Sequence, residues 1–432
     1  MNIEDIAQNA KKASFVIAGK STAYKNDTLL KIAERIKSSK DELLLANDED
    51  MKNAKNLLEA SIINQSIYNR LKLDENKLRD IVQGFYDIIN LKDPVGQKLL
   101  ATKLDEGLEL YKISCPIGVI GVIFEARPDV VPQIVSLAIK SSNALILKGG
   151  KEATKTNLAF VKIIQEVLLE QGFPVGTVSY IESREDVQQL LNFDKYVDLI
   201  IPRGGNALVR YIKENTKIPV LGHADGICHI FVDQSAELQM SKDILLDAKT
   251  QYPSACNAVE TVLLHKNLDD NFVKELVEYL MNAKIEVRGD EKLSKLLSCK
   301  LATEDDWKME YSDKIVSIKY VDDVDMAIEH INTYGSGHTD CIITNDSQAC
   351  NLFMEMVDSA GVYHNVSTRF ADGFRYGFGA EVGISTNKTH ARGPVGLSGL
   401  TIYKYQLFGK GQIVATYAGK DAKAFLHEDL LG

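Results

Sequence analysis

The sequence is short of cysteine for its length, and its cysteines form no CxxC pair. A chain of 432 residues can bury enough apolar surface to fold without disulfides. We therefore expect free thiols in a reducing compartment, each an ordinary small buried side chain unless its context indicates otherwise. The six cysteines are Cys115, Cys228, Cys256, Cys299, Cys341 and Cys350.

Several other features are missing. No apolar run approaches the roughly 20 residues needed to cross a bilayer, and residues 1–5 lack the basic and apolar regions of a signal peptide. The net charge is -10 without a dense basic block, which gives no reason to expect nucleic-acid binding. The eight histidines form no HxxxH motif and no Cys/His cluster, so we predict no metal site. These absences favour a cytoplasmic protein without nucleic-acid or membrane partners.

The sequence does contain a regular alternation of strand-like and helix-like segments. With 45% hydrophobic residues, the 432-residue chain exceeds the size at which one core usually splits, so we expect about two or three domains. The pattern is helical from Met1 to about Lys103. Strand-like and amphipathic segments then alternate over residues 117–221, which predicts a parallel sheet with helices on both faces.

A second alternating series covers residues 259–343. It predicts a second α/β domain, with the boundary between the two domains near residues 225–232. The expected fold class is therefore α/β, with two α/β domains built on parallel-type sheets.

Two glycine loops follow strand-like runs: Lys148-Gly149-Gly150-Lys151, and Pro202-Arg203-Gly204-Gly205. Ligands of open α/β sheets bind at the carboxyl ends of strands, where glycine lets the backbone approach a phosphate and the next helix offers free N–H groups. Their positive charges suit a phosphorylated ribose. An ordinary βα turn is the alternative for each loop, and the GxGxxG fingerprint is absent.

Cys256 lies in a loop that reads Tyr252-Pro253-Ser254-Ala255-Cys256-Asn257, between a helical segment and an apolar strand-like run. This composition is typical of a presented thiol. A helix beginning at or just after the loop would lower the thiol pKa through its dipole. No histidine or aspartate at a fixed spacing marks a protease-like partner, so a buried structural cysteine remains the alternative.

Six blocks of sequence together resemble the aldehyde dehydrogenase superfamily, and within it the branch that reduces γ-glutamyl phosphate, over essentially the whole chain. They are Pro116-Ile117-Gly118-Val119-Ile120-Gly121-Val122-Ile123-Phe124-Glu125-Ala126-Arg127-Pro128, Leu147-Lys148-Gly149-Gly150-Lys151-Glu152-Ala153, Ile201-Pro202-Arg203-Gly204-Gly205, and residues 252–260, 335–340 and 367–394.

The resemblance implies an aldehyde dehydrogenase-like arrangement of domains. Residues 1–102, 122–232 and 373–398 would form the NADP(H)-binding domain, and residues 233–372 the catalytic domain. Residues 103–121 and 399–419 would form a small β oligomerisation flap. Apolar Leu400, Ile402 and Tyr403 on its C-terminal strand favour a homo-oligomer, at least a dimer.

The resemblance also assigns roles to residues. Cys256 matches the catalytic thiol, Lys148 matches the lysine that holds the adenosine ribose, and Glu310 matches the glutamate that binds the nicotinamide ribose. Lys151 stands where NAD-preferring relatives often carry an acid, which favours NADP(H). The cofactor-binding set is then Lys148, Gly149, Gly150, Lys151, Pro202, Arg203, Gly204, Gly205 and Glu310.

The residues predicted to contact the substrate suit an anionic group. Arg127 stands where the superfamily has its oxyanion-hole asparagine, and it can give an acyl phosphate or oxyanion a bidentate contact. Arg369 and Phe370 are predicted substrate contacts, with Arg375 as a further candidate. Ordinary surface positions are the alternative for Arg369 and Arg375.

One departure from the superfamily selects the reaction. Members that hydrolyse their thioester carry a general-base glutamate in a Glu-Leu-Gly-Gly-Lys block, whereas this chain reads Leu221-Gly222-His223-Ala224-Asp225-Gly226. The resemblance therefore implies NADPH-dependent reduction of L-glutamate 5-phosphate to L-glutamate 5-semialdehyde and phosphate, through a Cys256 thioester, in L-proline biosynthesis. Because the acyl phosphate is unstable, an association with the glutamate 5-kinase that makes it stays open.

Two alternatives compete with this interpretation. A hydrolytic NAD(P)-dependent aldehyde dehydrogenase would need the general base that the sequence lacks, and it would turn over aldehyde without phosphate. A noncatalytic protein could retain the fold, but the presence of Cys256, Glu310 and both glycine loops argues against it.

Overall fold

A computed structural model describes residues 2–125, 127–222 and 225–431, apart from the side chain of Ser66. By internal packing the chain forms two compact units. Unit 1 comprises Met1–Gly204, Tyr211–Leu221 and Gly396–Gly432, and unit 2 comprises Gly205–Arg210 and Gly222–Val395.

Unit 1 begins with helices α1 (Ile3–Ile17), α2 (Thr22–Ser38), α3 (Lys40–Glu59), α4 (Gln65–Leu71) and α5 (Glu75–Asn90). Side chains that accept a hydrogen bond from a first-turn N–H cap several of them, namely Asn2, Ser21, Asn64 and Asp74. The helical prediction to about Lys103 was too long, because β1 (Lys98–Asp105) instead pairs antiparallel with β2 (Leu108–Pro116).

The predicted βα alternation is confirmed in unit 1. Its elements are β3 (Val119–Phe124), α6 (Val130–Lys140), β4 (Ala144–Lys148), α7 (Thr154–Glu170), β5 (Val178–Tyr180), α8 (Arg184–Leu190) and β6 (Leu199–Arg203). Helix α9 (Asn206–Glu214) follows, with its residues up to Arg210 in unit 2 and the rest in unit 1. The strands form a parallel sheet in the order β5-β4-β3-β6. Every residue of β3 is buried, as expected for a strand covered on both faces.

Unit 2 continues the alternation around a larger parallel sheet. Its elements are β7 (Cys228–Val232), α10 (Leu238–Thr250), β8 (Val259–His265), α11 (Asp270–Asn282), β9 (Glu286–Gly289), α12 (Glu291–Leu296), β10 (Lys300–Leu301), β11 (Ile315–Val321), α13 (Val324–Tyr334), β12 (Thr339–Ile343), α14 (Ser347–Met356), β13 (Gly361–His364), β14 (Gly383–Ser385) and β15 (Gly393–Val395). The sheet order is β10-β9-β11-β8-β7-β12-β13, and β14 pairs with β15 in a separate antiparallel ribbon.

Alternate residues of the unit 2 strands feed two apolar cores, one on each face of the sheet. Ile230 and Val262 pack in the core that includes α10 and α11. Phe231 and Leu263 pack in the core that includes α13 and α14. The second predicted α/β domain with a parallel sheet is therefore confirmed.

A small antiparallel sheet completes unit 1. The chain returns as β16 (Thr401–Phe408) and β17 (Glu428–Asp429), and the order is β16-β2-β1-β17. The predicted flap segments, 103–121 and 399–419, overlap this sheet, which itself begins at Lys98.

Packing divides the chain at somewhat different places from the predicted domain bounds. The predicted boundary near residues 225–232 includes β7, which lies inside the unit 2 sheet because it pairs with β8 and β12. Residues 373–395 also pack in unit 2.

Among the described residues, no helix is both long enough and apolar enough to cross a membrane. The same part of the chain contains no group of three or more His, Cys, Asp or Glu side chains placed to hold a metal ion.

Candidate active site

Both predicted glycine loops lie at one edge of the unit 1 sheet. β4 ends at Lys148 and β6 ends at Arg203, and both strands run parallel to β3 between them. In the ladder, Ile123 of β3 is opposite Lys148 on one side and Pro202 on the other. The two loops are therefore neighbours at the carboxyl edge, the usual ligand edge of an open α/β sheet.

Gly149 leaves space that no other residue type could leave. A Cβ added there would come within 2.3 Å of Asn157 Nδ2, 2.9 Å of Tyr180 Oη and 3.0 Å of a Phe124 ring carbon. The backbone after β4 can therefore lie close to the sheet before a short 3-10 turn and α7 begin. This is the geometry in which glycine permits close approach of a phosphate.

Positive charge surrounds this edge of unit 1. Partial burial lowers the pKa of Lys148, and Lys151 lies exposed in the following turn. Arg203 donates from Nη1 to Gln133 Oε1 at 3.2 Å, which orients its guanidinium. Arg127 follows β3 with 47% of its side chain exposed and lies 3.5 Å from Asp129. Gly204 follows Arg203 directly. Lys148 and Arg203 are the last residues of strands in this sheet, and Lys151 and Arg127 lie three residues after the ends of β4 and β3.

Cys256 lies in unit 2, in a pair of consecutive turns. Ala255 N donates to Tyr252 O at 3.1 Å, and Ala258 N donates to Ala255 O at 2.9 Å. The second turn leads directly into β8, and the thiol is partly exposed. The helix N-terminus considered from sequence was wrong, because strand pairing of residues 259–265 leaves no room for a helix there.

The turn that carries Cys256 rests tightly on the start of β7. A Cβ added to Gly226 would lie 2.2 Å from Cys256 O and 2.7 Å from Cys256 Cβ. The buried Cys228 thiol donates to Cys256 O at 3.3 Å. The neighbouring Asn257 is also buried, and its Nδ2 donates to Ala371 O at 2.8 Å. Gly226 and Cys228 thus hold the backbone of Cys256 in place, while its thiol is partly exposed.

Glu310 is held beside the same turn. Its Oε2 accepts from Gly226 N at 3.0 Å and from Asn206 Nδ2 at 3.3 Å. Asn206 also donates to Asp225 Oδ1 at 2.6 Å, at the start of α9 directly after Gly205. Glu310 and Cys256 therefore share Gly226 as a common neighbour.

Arg369 is buried near the nucleophile, whereas Phe370 is exposed. Arg369 Nε donates to Gln251 Oε1 at 2.9 Å, and its guanidinium lies 5.9 Å from the Tyr252 ring centre. Burial lowers the pKa of Arg369, and the negative charge of a Cys256 thiolate acts in the opposite direction. Arg375 donates to Arg369 O at 2.7 Å. The exposed-surface alternative for Arg369 is wrong.

Sequence reasoning missed the buried ion pair between Lys249 and Glu260. Lys249 Nζ and Glu260 Oε2 are 2.8 Å apart, with side-chain exposures of 1% and 0%. Burial raises the pKa of Glu260 to about 7, which Lys249 opposes, and burial lowers the pKa of Lys249. The signal was present in the sequence, because a carboxylate in the mostly apolar run Val259-Glu260-Thr261-Val262-Leu263-Leu264 needs a partner once that strand is buried.

Gly226 and Cys228 were missed for a different reason. Nothing in their local sequence indicates a nucleophile nearby, and they meet Cys256 only because β7 and β8 are adjacent. Three residues of the predicted motifs, Ala126, His223 and Ala224, lie outside the described residues. The lack of a general-base glutamate in residues 221–226 is therefore known from the sequence alone.

Comparison with known proteins covers the whole chain. The sequence profile of the Aldehyde dehydrogenase family matches residues 1–294. A γ-glutamyl phosphate reductase of Brachyspira hyodysenteriae is 54% identical over 430 residues, which is 99% of this chain and 99% of the relative.

The comparison with solved structures also finds a γ-glutamyl phosphate reductase. The crystal structure of a γ-glutamyl phosphate reductase from Thermotoga maritima has a TM-score of 0.92 and 39% identity, and the match covers 96% of this chain and 100% of the other. A glyceraldehyde-3-phosphate dehydrogenase of Methanocaldococcus jannaschii, complexed with NADP, has a TM-score of 0.66 at 16% identity, covering 94% of both chains. At that identity only the fold is shared.

Proposed function

Because the chain belongs to the aldehyde dehydrogenase family, we propose that it reduces γ-glutamyl phosphate to glutamate 5-semialdehyde and phosphate through a thioester on Cys256. The observation that carries this proposal is 54% identity to a γ-glutamyl phosphate reductase over 99% of both chains. The presented thiol of Cys256, held at its peptide by Gly226 and Cys228, supports the covalent route.

Cys256 is the proposed nucleophile of the first step. Its thiolate attacks the acyl carbon of the substrate, a tetrahedral intermediate forms, and the bond between that carbon and the phosphate oxygen breaks. The Cys256 backbone N–H is the donor we assign to the developing oxyanion. Arg127 keeps its predicted role as an anion contact, because its side chain is about half exposed and a guanidinium can form bidentate hydrogen bonds.

Unit 1 has the features of a nicotinamide-dinucleotide site. The space at Gly149 would be filled by a Cβ, and Lys148, Lys151 and Arg203 provide positive charge at the same sheet edge. We propose NADP(H) as the cofactor, because Lys151 offers a cation to the additional phosphate. A bound nicotinamide would supply the hydride for reducing the thioester carbonyl to the aldehyde, and Cys256 would leave as the thiolate when the C–S bond breaks. Glu310 is the proposed contact for the nicotinamide ribose.

The remaining expectations follow as parts of the same proposal. Unit 1 would bind the cofactor, unit 2 would carry the catalytic thiol, and Arg369 and Phe370 would contact substrate. The antiparallel sheet would join copies of the chain into at least a dimer, since β16 is an edge strand of the sheet among the described residues and is largely exposed.

The test is NADPH formation from glutamate 5-semialdehyde with and without phosphate. We expect strong dependence on phosphate, because phosphate is the group that releases the acyl chain from Cys256. Cys256→Ser should reduce the rate by roughly 10³-fold or more. Cys350→Ser is the matched control, since Cys350 is a partly exposed thiol on α14 and should retain wild-type activity. Phosphate-independent turnover would contradict the assigned reaction.

A further inference from the structure

The buried Lys249–Glu260 pair flanks the nucleophile in the chain. Lys249 is in the last turn of α10, and Glu260 is the second residue of β8. The segment between them, residues 250–259, contains both turns and Cys256. Their 2.8 Å contact therefore closes the base of the loop that presents the thiol.

Fold stability alone does not explain why these two residues are charged. Taking two charges out of water costs much of what their attraction returns, and apolar residues of similar volume often replace a buried pair without loss of stability. Of the neighbours of Glu260 on β8, Val259 and Val262 are apolar and pack in the core that includes α10 and α11, and Thr261 is buried as well. An apolar pair would suit this environment, so we expect the charged pair to have a role other than fold stability.

Glu260 makes a further contact that identifies this role. Its Oε1 accepts from the backbone N–H of Ser312 at 3.4 Å. Ser312 has a φ of 54°, in the left-handed region that non-glycine residues rarely adopt. The neighbouring Tyr311 is anchored independently, because its hydroxyl lies 2.6 Å from Asp306 Oδ1 and 2.6 Å from Ser317 Oγ.

These contacts fix the segment that carries Glu310. Tyr311 and Ser312 follow it directly, and Glu310 itself accepts from Gly226 N, whose residue packs on Cys256. One oxygen of Glu260 thus closes the Cys256 loop through Lys249, and the other holds the Glu310 segment through Ser312.

We propose that Lys249 and Glu260 are positioning residues that hold the Cys256 loop and the Glu310 segment in one fixed arrangement. This inference rests on the proposed function for its activity readout. Neither Lys249 nor Glu260 is assigned a contact with substrate or cofactor. The pair acts through Cys256, the proposed nucleophile, and Glu310, the proposed contact for the nicotinamide ribose. Losing the tie should lower kcat much more than it raises KM, because a displacement of about 1 Å in reacting groups can cost roughly 100-fold in rate.

Two double variants separate positioning from stability. Lys249→Met with Glu260→Leu removes the tie and leaves no unpaired buried charge. Lys249→Gln with Glu260→Gln removes both charges and retains amide groups that can hydrogen-bond to each other and to Ser312 N–H. Lys242→Met with Glu275→Gln is the matched control, since it breaks an exposed ion pair between α10 and α11.

The measurements are the thermal midpoint, kcat and KM in the phosphate-dependent assay, and the rate of Cys256 alkylation by iodoacetamide, located by mass spectrometry. We expect the Met/Leu variant to keep a near-wild-type midpoint, lose at least about tenfold in kcat and change its alkylation rate. The Gln/Gln variant should recover most of kcat, and the control should match the wild type in everything.

A folded Met/Leu variant with wild-type kcat and wild-type alkylation would overturn the proposal. If that variant does not fold, Lys249→Met with Glu260→Gln is used, because it breaks the contact across the base of the Cys256 loop and leaves no unpaired buried charge. Wild-type kcat and wild-type alkylation in this folded variant would equally overturn the proposal. Alkylation of Cys256 does not depend on the substrate. A wild-type protein that fails to reduce γ-glutamyl phosphate would therefore refute the proposed function while the alkylation rates still test the positioning pair.

Discussion

At the scale of single residues, the closest packing around the nucleophile is between Gly226 and Cys256. A Cβ on Gly226 would lie 2.2 Å from Cys256 O, and that neighbour is backbone and cannot rotate away. We expect Gly226→Ala to lower the free energy of unfolding by about 1–3 kcal/mol. It should also lower kcat by at least about tenfold, because the Cys256 turn must move. Urea denaturation and steady-state kinetics measure the two effects.

Gly84→Ala provides the control for this substitution. Gly84 is in α5, and a Cβ there would meet nothing within 4 Å. Alanine should stabilise that helix by up to about 1 kcal/mol without changing kcat. Equal kinetics in both alanine variants would show that contact at Gly226 does not position Cys256.

At the scale of elements, a buried cation joins α2 to its neighbours. Lys25 on α2 is 2% exposed, pairs with Asp93 at 2.7 Å, and donates to Lys140 O at the end of α6 at 2.9 Å. Removing one partner leaves a mostly buried charge, so Lys25→Met should cost about 3–5 kcal/mol in unfolding free energy.

Lys31→Met is the matched substitution on the same helix. Lys31 forms an exposed ion pair with Asp27 one turn away, and such pairs contribute about 0.3–0.5 kcal/mol. Chemical denaturation of both variants checks the difference. A loss below about 1 kcal/mol for Lys25→Met would mean that water reaches Asp93.

The C-terminal tail, residues 409–431, is held to the antiparallel sheet at two places, because Lys423 and Tyr417 contact the buried carboxylate of Asp105 and β17 pairs with β1. Hydrogen bonds from Lys423 and Tyr417 lower the pKa of Asp105 on β1 to about 2. A lowered carboxyl pKa stabilises the folded state above its unfolded value near 3.8, and this contribution is lost as pH falls through about 2. The anchoring should therefore be constant between about pH 5 and pH 8.

Asp105→Asn should loosen the part of this tail around Tyr417 and Lys423 even at pH 7, because the neutral amide loses the charge that Lys423 pairs with. Limited proteolysis should then cleave within the tail several times faster than in the wild type. Glu106→Gln, which changes an exposed carboxylate next to Asp105, should leave cleavage unchanged. Identical cleavage in both variants would rule out Asp105 as the anchor.

At the scale of the whole molecule, exposed apolar side chains on β16 predict self-association. Tyr405 and Leu407 are 59% and 58% exposed on β16, the longer edge strand of the antiparallel sheet in the described part of the chain. Outer strands with such side chains pair readily with a second copy, and lysine prevents it. Tyr405→Lys with Leu407→Lys should therefore shift sedimentation towards the monomer at micromolar concentration.

The control changes an exposed apolar residue elsewhere in unit 1. Val175 is 64% exposed outside the antiparallel sheet, and Val175→Lys should leave the assembly unchanged. A wild-type protein that sediments as a monomer at tens of micromolar would contradict the proposed dimer.

Local pattern predicted those elements whose apolar spacing repeats over many residues. The alternation over residues 117–221 became the parallel sheet of unit 1, and the series over residues 259–343 became that of unit 2. The prediction was wrong at residues 98–103, where β1 forms an antiparallel hairpin with β2. Glu106 and Gly107 join the two strands, with Gly107 at a φ of 69°, so the local signal that the prediction missed is a glycine turn.

The sequence by itself determined the α/β class, the thiol at Cys256, the charged glycine loops and the resemblance to a family of reductases. These depend on residue types and on short spacings, which the chain carries before it folds. Only the tertiary structure decided that Gly226, Cys228 and the Lys249–Glu260 pair lie around Cys256, and that its turn enters a strand instead of a helix. The physical reason is that such contacts arise from which strands become neighbours in the sheet, and that choice depends on burial summed over the whole chain.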